Sequence, residues 1–455
     1  MRGTGSEKKT VILMKRFFTL LIGLIALVGT VSATDYYLGG NFEASNSWCI
    51  KGQMTDDDGD GTYSIIAELP TGYDLYFTLF TTNEVNWSTN GTTVLRPTFS
   101  NPWITNTVQE IELKGNSDTG TIHYPTTNNA DENKNFARAI LIEFTESTKK
   151  ISITRLIAVA SGTNGWSTTT NYIPETSFGS KIYSGNILLE ADTDGWDDGF
   201  KFVYLYEGTQ NYGGKKIDNG HWLASDNGAS NYDVEYDGVY TLTAQFTDWV
   251  WQDPIRITAT ASVGSLGIGT FCSEYALDFT GITDIKAYTI TGEEDGQLTK
   301  AQVTGKVKAG TGLFIENGTG EATSANANVP TTIYTTEPGT NWLKGVTTAT
   351  HIEQTEDSHT NYILTTNGGS TAKFYKVNGT SGNNVGANKA YLHVPGTNAR
   401  EAMWFGDDET TGINALDSRP STLDQAQPIY NLAGQKVSVN YKGVVIQNGK
   451  KLVIK

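Results

Sequence analysis

From Thr34 onward the chain is written in short segments in which apolar and polar residues alternate one by one. These segments are broken every few residues by Gly, Asn, Asp or Thr, and a 3.6-residue period is almost absent. Side chains that alternate in this way point to opposite faces of a half-buried strand, so the pattern excludes a helical bundle and predicts an all-β protein. Tyr240, Leu242, Ala244 and Phe246 face one way, and Thr241, Thr243, Gln245 and Thr247 face the other. Ile140, Ile142 and Phe144 behave alike, and Ile151 and Ile153 alternate with Ser152 and Thr154 to form the returning strand of a hairpin.

These two hairpins read as copies. Phe144-Thr145-Glu146 leads through a polar tip into Ile151, and Phe246-Thr247-Asp248 leads through a longer tip into Ile255. An aromatic strand precedes each, Tyr76-Phe77-Thr78-Leu79-Phe80 and Phe200-Lys201-Phe202-Val203-Tyr204. A tandem repeat of one sandwich-like module, immunoglobulin-like or carbohydrate-binding-like, is the simplest account. The copies are expected over 34–157 and 158–261. A third β domain is expected over 262–405, where Lys308-Ala309-Gly310-Thr311-Gly312-Leu313-Phe314-Ile315 is echoed 78 positions later by the segment from Gly386 to Val394. A polar linker over 406–427 precedes a short β tail over 428–455, in which Asn448-Gly449 between apolar runs is a strong hairpin signal. At roughly 100–150 residues per domain, 455 residues suit about three domains.

Residues 1–33 are expected to be a secretory signal peptide. Lys15 and Arg16 precede an apolar run from Phe17 to Val31, and Val31-Ser32-Ala33 supplies the small-residue cleavage site. The run has 15 residues, short of the roughly 20 needed to span a bilayer, and no transmembrane segment is expected later. The two cysteines, Cys49 and Cys272, lie in different expected domains; lone buried thiols are favoured over an interdomain disulfide. The formal charge is −16, and removal of the five bases and one acid of the signal takes it to −20. A surface so negative repels phosphate backbones, so nucleic acid is excluded as a partner and a neutral polymer suits it better than an anionic one.

Two resemblances follow from local motifs. Gly412-Ile413, Tyr430-Asn431-Leu432-Ala433-Gly434-Gln435-Lys436-Val437, Lys442-Gly443 and Asn448-Gly449-Lys450-Lys451 resemble the C-terminal segment of exported Bacteroidetes proteins related to the type IX secretion sorting domain. That resemblance implies secretion machinery as a partner of the tail. The paired modules resemble the carbohydrate-binding sandwiches of the SusE and SusF type of starch-utilisation outer-membrane proteins. The carrying residues are Leu38-Gly39-Gly40-Asn41-Phe42 and Gly59-Asp60-Gly61-Thr62-Tyr63 in the first copy. In the second they are Gly165-Trp166, Gly199-Phe200-Lys201-Phe202 and Asp237-Gly238-Val239-Tyr240-Thr241-Leu242. Those relatives are lipid-anchored, whereas no Cys follows the apolar run here.

Trp249 and Trp251 stand out as candidate ligand-binding residues. They occupy a hairpin tip where the sister copy has Ser147 and Lys149, and at spacing two they share a face if the strand continues. Sugar C–H faces stack on indole rings, and Asp248, Gln252 and Asp253 offer hydroxyl partners; the competing reading is that both rings cover the end of the sandwich. Trp222, Trp87 and Trp103 are candidates of the same kind, while Trp48, Trp166 and Trp196 are assigned to the core. Asp56, Asp58 and Asp60, with Gly59 and Gly61, form the first half of a calcium loop, but position twelve is Ala67 with Glu68 one place late. A solvated acidic turn is therefore favoured over Ca2+, and no other cofactor is expected. His123, His221, His351, His359 and His393 lack metal-ligand spacing, and no nucleophile elbow is present. The expected function is that of an exported, outer-membrane-surface or extracellular, non-catalytic polysaccharide-binding protein using aromatic platforms. The alternative is a structural or adhesive surface protein that binds host or matrix protein.

Overall fold

The computed structural model describes residues 34–405 and 429–454, apart from 44–46, 86, 88–93, 99–101, 106–109, 116–119, 127–135, 192–198, 207–208, 218–219, 226–230, 380–381, 397–399, 432–434, 439–442 and 448–449. The expected signal peptide and linker lie outside the described residues. The protein is all-β: every sheet is built from antiparallel pairs, and the described residues contain no α-helix, only a 3-10 turn at Gly162–Asn164. No described helix is long and apolar enough to cross a membrane. Contacts divide the chain into a unit ending at Met403 and a second unit, Trp404–Lys455.

Both predicted hairpins form. Ala139–Thr145 pairs with Lys150–Ser161, and Gly238–Gln245 pairs with Val250–Arg256. In the first copy, Ile140, Ile142, Phe144, Ile151 and Ile153 join Leu38, Leu75, Phe77, Leu79 and Tyr124 in one apolar core. In the second, Tyr240, Leu242 and Ala244 join Tyr183, Phe200, Phe202, Tyr204 and Leu223 in another.

The expected boundary after Ile157 falls inside a single strand. Along Lys150–Ser161 the positions with odd numbers lie on one face. Ile151 and Ile153 fill the first core, while Ile157 and Val159 fill the second. The opposite face, with Leu156, Ala158 and Ala160, carries a third apolar cluster that contains Leu141 from one copy and Val203 from the other. The cores also exchange residues, since Leu205 packs in the first and Phe136 in the second.

Arg155 occupies the odd position between the two cores and is fully buried. Its Nε–H donates to the Tyr124 hydroxyl at 3.2 Å, its Nη2 donates to the Thr105 carbonyl at 3.4 Å, and its guanidinium lies 4.4 Å from the Phe178 ring centroid. Nη1 stands 3.8 Å from Glu175 Oε2. The buried Glu175 carboxylate also accepts the backbone N–H groups of Gly179 at 3.0 Å and Lys181 at 2.7 Å. Burial pushes the Glu175 carboxyl above the usual carboxylate range, against the pull of Arg155 and those two donors.

The third segment begins earlier than expected, because Thr258–Val263 pairs with Ala325–Pro330. It consists of two halves of the same topology. The first half orders its strands Ile268–Phe271, Leu313–Asn317, Ile285–Glu294, Gln297–Val303. The second orders Leu343–Val346, Lys389–Pro395, His359–Thr365, Lys373–Lys376 in the same way. The 78-residue echo marks the corresponding turns, with Gly310 (φ 79°) and Asn388 (φ 59°) both left-handed. The halves touch where Thr311 bridges to Lys344 and where Cys272 N–H donates to the Asn388 carbonyl at 3.2 Å. No disulfide forms. Cys272 is buried as expected, and burial pushes its thiol up to about 11; Cys49 is only half-buried, so the expectation of two buried thiols holds for Cys272 alone.

The second unit is a small antiparallel sheet with Ile429–Asn431 between Lys436–Val437 and Gly443–Gln447, and Lys450–Ile454 outermost. Gln447 pairs with Lys450, which leaves the two-residue connection that Asn448-Gly449 predicts.

Candidate functional site

The strongest aromatic surface lies on the first copy, and strand alternation builds it. In Leu75–Phe80, Leu75, Phe77 and Leu79 enter the core, so Tyr76 must point outward. Tyr76 pairs with His123 on Ile122–Tyr124, and His123 is bridged in parallel to Trp103. Trp103 sits between buried Pro102 and Ile104 and so also faces outward. Three rings therefore lie side by side. Tyr76 stacks on His123 at a centroid distance of 4.4 Å and 11°, and Trp103 meets His123 edge-on at 3.6 Å. His123 is 2% exposed, whereas Tyr76 and Trp103 are 37% and 43% exposed.

Hydrogen bonds hold this platform from below. His123 Nε2–H donates to Asp74 Oδ2 at 3.0 Å, and Thr126 N–H donates to Asp74 Oδ1 at 2.9 Å. Buried Asn41 ties down the neighbouring strand, because its side chain donates to the Asp74 carbonyl at 2.9 Å and accepts the Tyr76 N–H at 2.6 Å. Asp74→Ala orphans two donors beneath the rings and is expected to cost about 1–3 kcal/mol. Urea denaturation followed by tryptophan fluorescence reads this directly; an unchanged midpoint would show that Asp74 does not support the platform.

The tip tryptophans are not an exposed pair, contrary to expectation. Gln245 pairs with Val250 as Thr145 pairs with Lys150, so the two tips have the same length and the copies align with an offset of 100. Phe246 leaves the strand and stacks on Phe136 at 4.2 Å and 8°, so it is not the strand counterpart of Phe144. The corrected register matches Trp251 with core Ile151 and Trp249 with Lys149. Trp251 is 3% exposed and packs edge-on against Tyr232, Phe200 and Phe202. Trp249, left-handed like Lys149 (φ 56° and 55°), is half-buried against Phe136, Tyr206 and Phe246.

No protein-family model and no curated protein matches the chain. Among solved structures the chain is similar to SusF from Bacteroides thetaiotaomicron, at 13% sequence identity over 66% of this chain and 74% of that one, with a TM-score of 0.21. At that score the two chains do not superpose as wholes, and the functional reading rests on the residues of this chain.

Trp87 is 37% exposed and belongs to a second aromatic cluster. It meets half-buried Trp48 at 4.7 Å and buried Phe80 at 5.4 Å, both edge-on, with the Arg96 guanidinium 4.8 Å from its centroid. Trp48, assigned to the core, therefore lies partly at the surface beside it. Trp166 is half-buried against the cluster around Leu156, and Trp196 lies outside the described residues. Of Trp222 only the strand position is described, opposite Val250.

Asp56, Asp58 and Asp60 do converge, with ligand atoms within 4.8 Å of one another. Asp56 accepts the N–H groups of Gly59, Asp60 and Gly61 at 3.0–3.2 Å, so the loop closes on its own backbone. Ala67 points into the core and Glu68 turns to Arg138 at 3.4 Å, so neither completes a calcium cage. These three carboxylates are the candidate group for a hard cation among the described residues.

Proposed function

We propose that the protein is an exported, non-catalytic glycan-binding protein of the cell surface or extracellular space, and that its binding platform is formed by Trp103 and Tyr76 over His123. The observation that supports this reading is the pair of exposed flat rings held by buried His123 and its half-buried partner Asp74. Such rings offer a sugar C–H face a hydrophobic surface at little cost in ordering. The candidate residues shift accordingly from Trp249 and Trp251 to Trp103, with Trp87 nearby. The acidic composition favours a neutral polysaccharide over nucleic acid or a sulfated polymer. The tail, residues 428–455, is proposed as the segment that addresses secretion machinery, and Asp56, Asp58 and Asp60 as a weak Ca2+ site. A structural or adhesive role is the second reading. It is favoured by the burial of Trp251, which makes that ring a packing group.

Titrating residues 34–403 with starch, xylan, mannan and mucin in affinity gels tests the proposal. Trp103→Ala is expected to weaken the retained polysaccharide about tenfold or more, since stacking energies of about 1.4 kcal/mol correspond to that factor. Retention of none of these polymers by the native protein would leave the adhesive reading standing.

A further inference from the structure

We propose, building on that glycan reading, that the first copy grips one linear, neutral polysaccharide chain at two exposed points, the Trp103–Tyr76 platform and Trp87, which stand at the two ends of Leu75–Phe80. Tyr76, Thr78 and Phe80 share the face turned away from the core, and of the three only Tyr76 is exposed, Thr78 and Phe80 being covered. The platform stands at the Tyr76 end and Trp87 at the Phe80 end. Phe80 is fully buried yet lies outside the main core, and its ring covers Gly39 so closely that a Cβ there would stand 2.3 Å from it. Phe80 thus serves as the floor for Trp87. Four strand positions separate the two ends, about 13 Å at roughly 3.3 Å per residue, which is longer than one pyranose ring.

The second point also carries polar chemistry. Arg96 lies over Trp87, and its buried Nε–H finds no acceptor among the described residues. A guanidinium beside an indole supplies donors for sugar hydroxyls next to a stacking face. A chain held at the platform meets Trp87 as an intramolecular partner, so affinity rises sharply once the chain reaches both points.

The test uses the full chain with gluco-, xylo- and manno-oligosaccharides, from disaccharide to octasaccharide, in calorimetric titrations. The native protein is expected to show a step of about tenfold or more with length in the series it binds. Trp87→Leu, which keeps apolar contact with Phe80 but lacks the flat ring, is expected to remove that step. Trp103→Ala is expected to weaken every length by a similar factor. Arg96→Gln provides a second arm that leaves the aromatic packing in place and is expected to shrink the step as well. An unchanged length step in both Trp87→Leu and Arg96→Gln overturns the two-point grip while leaving the single platform standing. No binding by the native protein at any length overturns the glycan reading itself, and the two-point grip with it.

Discussion

Arg155→Ala is expected to destabilise the first unit by about 3–5 kcal/mol, the range for removing one partner of a buried ion pair. The Arg155 side chain is fully buried between two apolar cores and is held by Tyr124, Thr105 and Glu175. Its removal leaves the Glu175 carboxylate buried with the Gly179 and Lys181 backbone donors, and takes the Arg155 donor from the Tyr124 hydroxyl. Chemical denaturation followed by circular dichroism measures the loss. Arg155→Met with Glu175→Gln removes both charges at nearly constant volume and is expected to recover much of it. If Arg155→Ala alone changes the midpoint negligibly, the seam is held by apolar packing and the ion pair is incidental.

Gly345→Ala is expected to cost about 3 kcal/mol, at the upper end for overpacking a close-packed interior. A Cβ at this position would lie 2.4 Å from the Gly310 carbonyl oxygen and 2.5 Å from Cys272 Sγ. The matching strand pairs, Phe271 with Leu313 and Lys344 with Tyr391, place Cys272 and Gly345 at corresponding positions of the two halves. One half thus fills with a thiol the space that the other half leaves open. Because the Gly310 carbonyl is backbone, adding Cys272→Ala should restore little of the stability. Full recovery in the double variant would show that the thiol alone was the obstacle. Thermal melts of the single and double variants decide between these outcomes.

The architecture was legible where alternation was strict. Tyr240, Leu242 and Ala244, and Ile140, Ile142 and Phe144, enter cores as their spacing predicts. The tip was not legible because Phe144 and Phe246 look equivalent in sequence and occupy different places in the fold. Phe144 sits in a strand and Phe246 in a turn, and this two-residue difference in register places Trp251 in the core. The platform was half legible. Trp103 stood out as a tryptophan in a loop-like setting, but its partners Tyr76 and His123 reach it only through strand pairing across the sheet. The available signal was Tyr76 itself, a large aromatic at an outward position of an otherwise buried strand. The duplication in the third segment left one echo in the sequence, because the turn that needs a left-handed residue is constrained while the strands need only be apolar.

A strand that serves two cores also decides how the copies can move and how they can be exchanged. Lys150–Ser161 passes from one core to the next without a break, so the pivot that lets beads turn on a string is missing between the first two copies. They behave as two blades fixed to one shaft, with their mutual angle set by the twist of a continuous sheet. An exchange of one copy for another would have to cut through the middle of a hydrogen-bonded strand that fills both cores.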